Sequence, residues 1–479
     1  GDETLTFASA PSLVVGEPFF SYDPTLSSWS GFRTNYHAGE WCEVASISGS
    51  VVTLKNRLYD SYTIAAVDVY KPNLISPSRR DMKIIGDVAS NVVSFEYCTG
   101  ELTSNLNITH SNNICISTSR CFNFSHQNPR VKNEGDGGDD YGISIGNSQD
   151  GTIINPYSYG RRHAINIGGG EFIGAVSNRN IKIKGGTLKN DQSLSNHCAD
   201  FHGNCEACSY EGVTIYGAIS LQGKSNGYRD CDIYARNDGV VASYTEIKGG
   251  LFFVDNCNGY SYDDPSSVSR GYFDLGGNSA TTITSDTVED VTIRIKDFNL
   301  VALNGSNNSG FCKFVNRGTT QKVNFDLRGL HVEGLLSSFL STDVNTGTAA
   351  SDFIIVDDVY SDDTAVFLAV HVGSDYLNFP HRTHAQSGKE TIASTATNIA
   401  LGTLQTFKYI YPRIPVGVAG LSLTAGSPLN RLNGEIPITN FELLTTTGAT
   451  MQISTASTGD TMATGTNLDA HFNVGLREI

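Results

Sequence analysis

Amphipathic helical periodicity is nearly absent from this 479-residue sequence, which excludes helical bundles and helical solenoids. Charge is scarce too. Asp, Glu, Lys and Arg make up 17% of the chain against the roughly 25% of an average globular protein, and Pro fills only 13 positions, so the composition is not that of a disordered chain. No run approaches the roughly 20 apolar residues of a membrane span, and no membrane insertion is expected. The opening GDETLTFASAPSL has no basic stretch followed by an apolar core, so it reads as no export signal. Gly1 in place of Met points to a region that precedes the chain. The signatures GxxxxGK[ST], HExxH and GxSxG are missing, and Gly168-Gly-Gly170 reads as a turn; no cofactor is expected. Cations are outnumbered, 33 Lys and Arg against 49 Asp and Glu, and the net charge of -16 repels phosphate backbones and anionic headgroups. Nucleic acid is therefore not an expected partner.

Ten Cys are scattered through the chain, which argues against a disulfide scaffold and for reduced thiols that fill a core. Cys205-Glu-Ala-Cys208 has a metal-knuckle spacing, with Cys198 and His202 nearby. No second pair completes it, and no metal is expected.

What the sequence does have is a recurring theme between about residues 85 and 375. Short alternating β-branched runs are separated by Gly, Asn and Asp corners, as in Asn180-Ile-Lys-Ile-Lys-Gly-Gly186, Glu211-Gly-Val-Thr-Ile-Tyr216 and Lys322-Val-Asn-Phe-Asp-Leu327. Period-2 alternation predicts strands with one buried face, and the corners call for positive φ. Steps of roughly 29 residues fit a solenoid. The expected fold is all-β: a right-handed single-stranded parallel β-helix with a small C-terminal β-sandwich-like domain. Inward positions would carry Val, Ile, Leu, Phe and Cys, outward ones Thr, Ser, Asn, Lys and Tyr. Three parts are expected: an N-terminal capping segment over 1–80, the β-helix over 81–375, and a C-terminal β domain over 391–479 where Ala, Thr, Leu and Gly take over. The first contains the hairpin pattern Trp41-Cys-Glu-Val-Ala-Ser-Ile-Ser-Gly-Ser-Val-Val-Thr-Leu54.

Chemistry-bearing residues concentrate between Asp139 and Asp238. Asp139-Asp140 sits in a Gly-rich loop. Asp200 and His202 are two apart, so on a strand they project to one side about 7 Å from each other. Glu206 follows a Gly203-Asn204 turn and could reach the same groove, with Asp230 in reserve. Two carboxyl groups flanking a glycosidic bond are what glycoside hydrolysis requires. Asp200, Glu206 and Asp230 are thus the candidate catalytic residues. Arg161, Arg162, His163, His202, Tyr159, Tyr228 and Arg229 are the candidate substrate-binding residues, the cations suited to gripping an acidic sugar. Each has a plain structural alternative: a turn cap, a coil-to-coil bond, ordinary stacking. Elimination from a uronic acid is the rival chemistry, with Arg162 and His163 or His202 supplying a cation and a base.

The run His37-Ala-Gly-Glu-Trp-Cys-Glu-Val-Ala-Ser-Ile-Ser-Gly-Ser-Val-Val-Thr-Leu, the pieces Leu58-Tyr-Asp-Ser-Tyr62 and Val69-Tyr-Lys71, and the Tyr-Gly-Arg-Arg-His-Ala and Ala-Asp-Phe-His-Gly-Asn segments resemble tailspike depolymerases of tailed bacteriophages, which have a pectate-lyase-like parallel β-helix. The resemblance covers about residues 15 to 375. It implies a homotrimer on the virion tail, made in the host cytoplasm and acting outside the cell. It also implies attachment to tail or baseplate through a missing N-terminal region, and cleavage of a bacterial surface polysaccharide such as O-antigen, capsule or exopolysaccharide. Sites within one subunit and between subunits both occur in such spikes. Endo-glycoside hydrolysis is the expected activity; a lyase, a non-catalytic glycan-binding adhesin and a secreted pectinase-like enzyme are the alternatives.

Overall fold

Asparagine and aspartate build the corners of this fold. Asp81, Asn105, Asn128 and Asn155 all adopt positive φ, between 47° and 53°, a conformation their short polar side chains tolerate. They stack from coil to coil: the Asn105 amide donates to Asp81 at 2.8 Å, Asn128 to Asn105 at 3.1 Å, and Asn155 to Asn128 at 3.2 Å. The same corner recurs at Asn180, which bonds Asp150 at 2.6 Å.

The computed structural model describes residues 3–24, 36–62, 67–86, 91–109, 113–135, 140–168, 176–191 and 197–236. Further along it describes 240–243, 247–262, 271–276, 289–302, 310–315, 323–333, 338–343, 354–361, 368–369 and six C-terminal strands. Among the described residues there are strands and no helix.

The N-terminal part is a five-stranded antiparallel sheet in the order Thr4–Thr6, Val51–Leu54, Gly39–Ser48, Pro18–Tyr22, Asp68–Tyr70. Its own core gathers Leu13, Phe19, Cys42, Val44, Val52 and Leu54. The expected hairpin over Trp41 to Leu54 is present within it. From Arg79 to Ala369 the chain winds as a right-handed parallel β-helix, with one ladder of 21 strands and another of 11. Inward residues stack in register: Ile116, Ile143, Ile165, Ala199 and Ile219 lie on successive coils. Coils lengthen and shorten, from 18 residues between Tyr210 and Tyr228 to 41 between Gly250 and Val291, and the strand register persists through both. Nine described cysteines are free and buried, filling the interior as small apolar side chains do. Tyr210 and Tyr228 also stack inside the coil, with ring centroids 5.0 Å apart. Tyr228 was expected to bind substrate; it is fully buried, and its hydroxyl donates to interior carbonyl oxygens of Ala199 and Ser220, each 3.0 Å away.

The C-terminal strands form two three-stranded antiparallel sheets. One joins Gln386–Ala393, Asn467–Gly475 and Val416–Leu423; the other joins Leu404–Thr406, Gly448–Gln452 and Asn440–Leu444.

The N-terminal sheet is fastened to the coil. The Trp41 indole packs against Phe20 and Phe122, its Nε1 donates to the Asn147 carbonyl at 3.1 Å, and Gln149 brackets the Trp41 backbone. Beside this contact, Arg179 lies wholly buried between Glu206 (2.7 Å) and Asp60 (2.6 Å) and donates to the Gly39 carbonyl at 2.8 Å. Lys248 bridges the same two carboxylates at 2.6 and 3.0 Å. Burial alone would raise both carboxyl pKa values, but the two cations hold Asp60 and Glu206 below the ordinary range.

Candidate functional site

On the 11-stranded ladder the residues between the inward positions form an outward row, Ser117, Ser144, Asn166 and Asp200, one per coil. Strand alternation alone places them there. The Ser144 hydroxyl reaches Asn166 Oδ1 at 3.4 Å, and Asn166 Nδ2 donates to Asp200 Oδ2 at 3.0 Å. Asp200 is 3% exposed although it lies on the outer face. Three imidazoles cover it. His197 Nδ1 is 3.1 Å from Oδ1, His202 Nε2 is 3.0 Å from Oδ2, and His163 Nε2 is 3.8 Å from Oδ2. Burial pushes the Asp200 pKa up, yet the neighbouring imidazoles and their hydrogen bonds outweigh it and keep the carboxyl well below its usual range. Asp200 is therefore an ionised acceptor, not a proton donor.

The three rings differ in role. His163 is buried; burial lowers its pKa to about 4, which makes it neutral at ordinary pH. Its Nδ1–H donates to the His197 carbonyl, which orients the ring and ties two coils together. His202 lies flat against Gly168, where any Cβ would come within 2.6 Å of the ring, and its Nδ1 is buried without a hydrogen-bond partner among the described residues. His197 is the most open, its side chain 22% exposed. Asp200 holds the proton on its Nδ1, which leaves the Nε2 lone pair as the basic position. Tyr141 packs against His163 at a tilt of 52° with centroids 4.9 Å apart, and the Arg162 guanidinium lies over the Tyr141 ring, 5.6 Å from its centroid.

Of the residues singled out from sequence, Asp200, His163 and His202 come together, with Arg162 beside them. Arg161 is half exposed at the adjacent corner, 4.0 Å from Asp191, and Tyr159 stands one strand away. The others lie elsewhere. Glu206 does not reach the Asp200 groove: it is the anionic partner of Arg179 and Lys248 in the joint with the N-terminal sheet. Asp230 occupies an exposed positive-φ corner, where it accepts from the Asn256 amide, and Arg229 flanks Phe253 and Asp255 on the other ladder. Tyr228 is interior. Asp140 is buried just before Tyr141, while Asp139 lies outside the described residues. Two residues escaped the sequence reading, His197 and Asn166. At odd spacing from Asp200, His197 belongs on the opposite strand face; a register shift between His197 and Ala199 breaks the alternation and turns it back. Asn166 is visible only once the coils are in register.

A family model described as Gp49, pectin lyase-like, matches residues 110–365, and one described as tailspike protein-like, Ig-like domain, matches residues 2–72. A comparison with curated proteins gives no match. Among solved structures, the tailspike protein gp49 from Pseudomonas phage LKA1 is 33% identical with a TM-score of 0.83, the alignment covering 100% of this chain and 80% of that one. The Pseudomonas phage phi297 tailspike gp61 is 25% identical with a TM-score of 0.77, at 100% and 80% coverage. The gp54 tailspike of Acinetobacter baumannii bacteriophage AP22, solved in complex with A. baumannii capsular saccharide, shares the fold at 23% identity and a TM-score of 0.78, at 100% and 82% coverage. With a family match across more than half its length and a 33% identical tailspike aligned along all of it, the chain belongs to the Gp49 pectin lyase-like family of phage tailspikes, built on a pectate-lyase-like β-helix.

Proposed function

We propose that the chain is the part of a virion tail spike that binds a bacterial surface polysaccharide and cuts it at the Asp200 cluster. Family membership supports the glycan, since a neighbour of the same fold was solved with capsular saccharide. The observation that carries the cleavage site is Asp200 itself, an ionised carboxylate at the end of an outward polar row, touched by imidazoles of unequal exposure. A buried carboxylate held ionised beside imidazoles on an outer face is a candidate for chemistry, whereas Glu206 and Asp60, held ionised by Arg179 and Lys248, serve a joint.

The arrangement favours elimination over hydrolysis. Hydrolysis by paired carboxyls needs one of them protonated as the acid, with the second about 5–9.5 Å away. Asp200 is held ionised, and Glu206 and Asp230 are committed to other partners. For elimination the polymer must carry a uronic acid. His197 Nε2 takes the C5 proton, the C4–O bond breaks with its electron pair, a C4=C5 double bond forms, and the departing oxygen takes a proton from water, whose hydroxide then takes the proton from the His197 imidazolium. Arg162, whose guanidinium lies over the Tyr141 ring, supplies the cation that offsets the negative charge developing on the substrate carboxylate. Asp200 fixes the His197 tautomer and stabilises the imidazolium that forms.

The remaining expectations stand as parts of this proposal. Homotrimerisation, with the C-terminal domain expected over 391–479 holding subunits together or binding glycan, follows the tailspike pattern. So does attachment to the tail through a preceding region. The test is to incubate the protein with purified surface polysaccharides from a panel of Gram-negative strains, reading polymer size and the ultraviolet absorbance of an unsaturated uronate together. Shortened polymer that absorbs supports elimination. Shortening without absorbance returns the chemistry to hydrolysis, and binding without shortening leaves an adhesin.

A further inference from the structure

A second outward row runs along the neighbouring ladder, one residue per coil in continuous register: Lys132, Tyr159, Lys189, Tyr216, Tyr234 and Tyr260. The last three rings form a column. Tyr216 and Tyr234 stack at 4.9 Å and 15°, and Tyr234 and Tyr260 at 4.5 Å and 9°. The Lys189 ammonium caps the column 4.6 Å from the Tyr216 ring centroid. These tyrosines are half-buried, unlike Tyr210 and Tyr228, whose column is sealed inside the coil. Because ring faces are spent on one another, the outer column offers ring edges and phenol hydroxyls at coil spacing, roughly 4.8 Å.

The row is continuous with the Asp200 site. Tyr159 is followed within four residues by the Arg161, Arg162 and His163 corner, and Asn190, next to Lys189, donates to the Arg162 carbonyl at 3.2 Å. We propose that this row is a glycan-holding rail, distinct from the cleavage site, along which a remote stretch of the same polysaccharide lies while the bond is broken at Asp200. An extended polysaccharide rises per sugar by a distance of the same order as one coil. A comb of hydroxyl donors and acceptors at that repeat can engage successive sugars without selecting one of them. Lys189, next to the Asn190 that bonds the Arg162 carbonyl, suits a polymer that carries carboxylates.

The inference rests on the reading that the chain binds a glycan, but not on how it cuts. The experiment separates the two failures. Purified Gram-negative O-polysaccharides and capsules are screened against the Asp200→Asn protein, which leaves the polymer whole, and a polymer that binds is the probe. Absence of binding throughout the panel defeats the glycan reading itself. In the same background, the double substitution Tyr234→Phe with Tyr260→Phe keeps both rings stacked and deletes two hydroxyls. The rail predicts about tenfold weaker binding to long polymer, the scale of two neutral hydrogen bonds. With otherwise unsubstituted protein, it predicts a raised KM on long polymer with kcat and short-oligosaccharide turnover unchanged. Tyr234→Ala should lose more than the double Phe variant. Unchanged affinity in the Phe variant overturns the rail while the glycan reading stands. A change of oligomeric state in that variant, seen by sedimentation, also overturns it and assigns the row to contact between copies of the chain.

Discussion

Replacing Arg179 with Met removes the cation that joins the N-terminal sheet to the β-helix. Arg179 is fully buried, with Asp60 at 2.6 Å, Glu206 at 2.7 Å and the Gly39 carbonyl at 2.8 Å. Met fills most of the volume but leaves two buried carboxylates sharing Lys248 alone, with Glu40 close by. Breaking a buried pair by deleting one partner costs about 3–5 kcal/mol. At about 1.4 kcal/mol per tenfold, the undocked state rises by about a hundredfold to a few thousandfold. Separate parts need not melt together, so a single melting temperature is a poor readout. Limited proteolysis of the native protein suits the problem, because cleavage follows the open population when opening and closing are fast. Cutting between the N-terminal sheet and the first coil should accelerate by that factor, while cutting within the coil stays unchanged. Glu206→Gln should accelerate the same cut to a smaller degree and leave depolymerase turnover intact. Equal proteolysis rates for Arg179→Met and the unsubstituted protein contradict the joint. Glu206→Gln protein that folds and docks normally but has lost turnover returns Glu206 to the catalytic machinery.

Three further outcomes follow. Burial lowers the pKa of His126 to about 3 and of His163 to about 4. The unfolded chain therefore binds more protons between those values and the ordinary 6.5, and stability rises with pH across that window and is lost as pH falls from about 6.5 toward 4. The loss approaches about 3 kcal/mol for His163 and somewhat more for His126; denaturant midpoints that stay flat from pH 6.5 to 4.5 contradict it. Asp60 and Asp200, with pKa values lowered, keep their contribution until pH falls below the ordinary carboxylate range. Gly160→Ala would place a Cβ 1.9 Å from the His163 carbonyl oxygen and 2.6 Å from the Gly142 nitrogen. Neither backbone group can yield cheaply, so thermal denaturation should show a loss at or above the 1–3 kcal/mol of ordinary overpacking, about what a displaced corner costs. His197→Gln should remove cleavage and leave binding to whole polymer within about twofold, as read by titration; unchanged cleavage would move the base to another ring.

The solenoid was legible because its cause is local. Alternation in runs such as Asn178–Lys184 and αL-tolerant residues at corners such as Asn128 and Asn155 are properties of a few neighbouring residues. The cluster was half legible for the same reason, since Asp200 and His202 are two apart. What failed was long-range. Glu206 looks like a groove carboxylate until its partner's partner Asp60 appears, 119 residues from Arg179 and in a loop of the N-terminal part. Arg179 has no local mark of importance, being one cation in a strand of alternating Lys. Tyr228 and Tyr234 are both strand tyrosines of similar context, yet one faces the core and the other the outside, because a one-residue difference in phase decides the face.

The most direct measurement compares the native protein with Asp200→Asn on one surface polysaccharide that both bind, following polymer size by chromatography. Asn matches the shape of Asp and keeps an acceptor oxygen, so fold and binding should persist. The account predicts shortening by the native protein and a loss of at least a hundredfold in rate for the variant. Cleavage by Asp200→Asn at the native rate would contradict it.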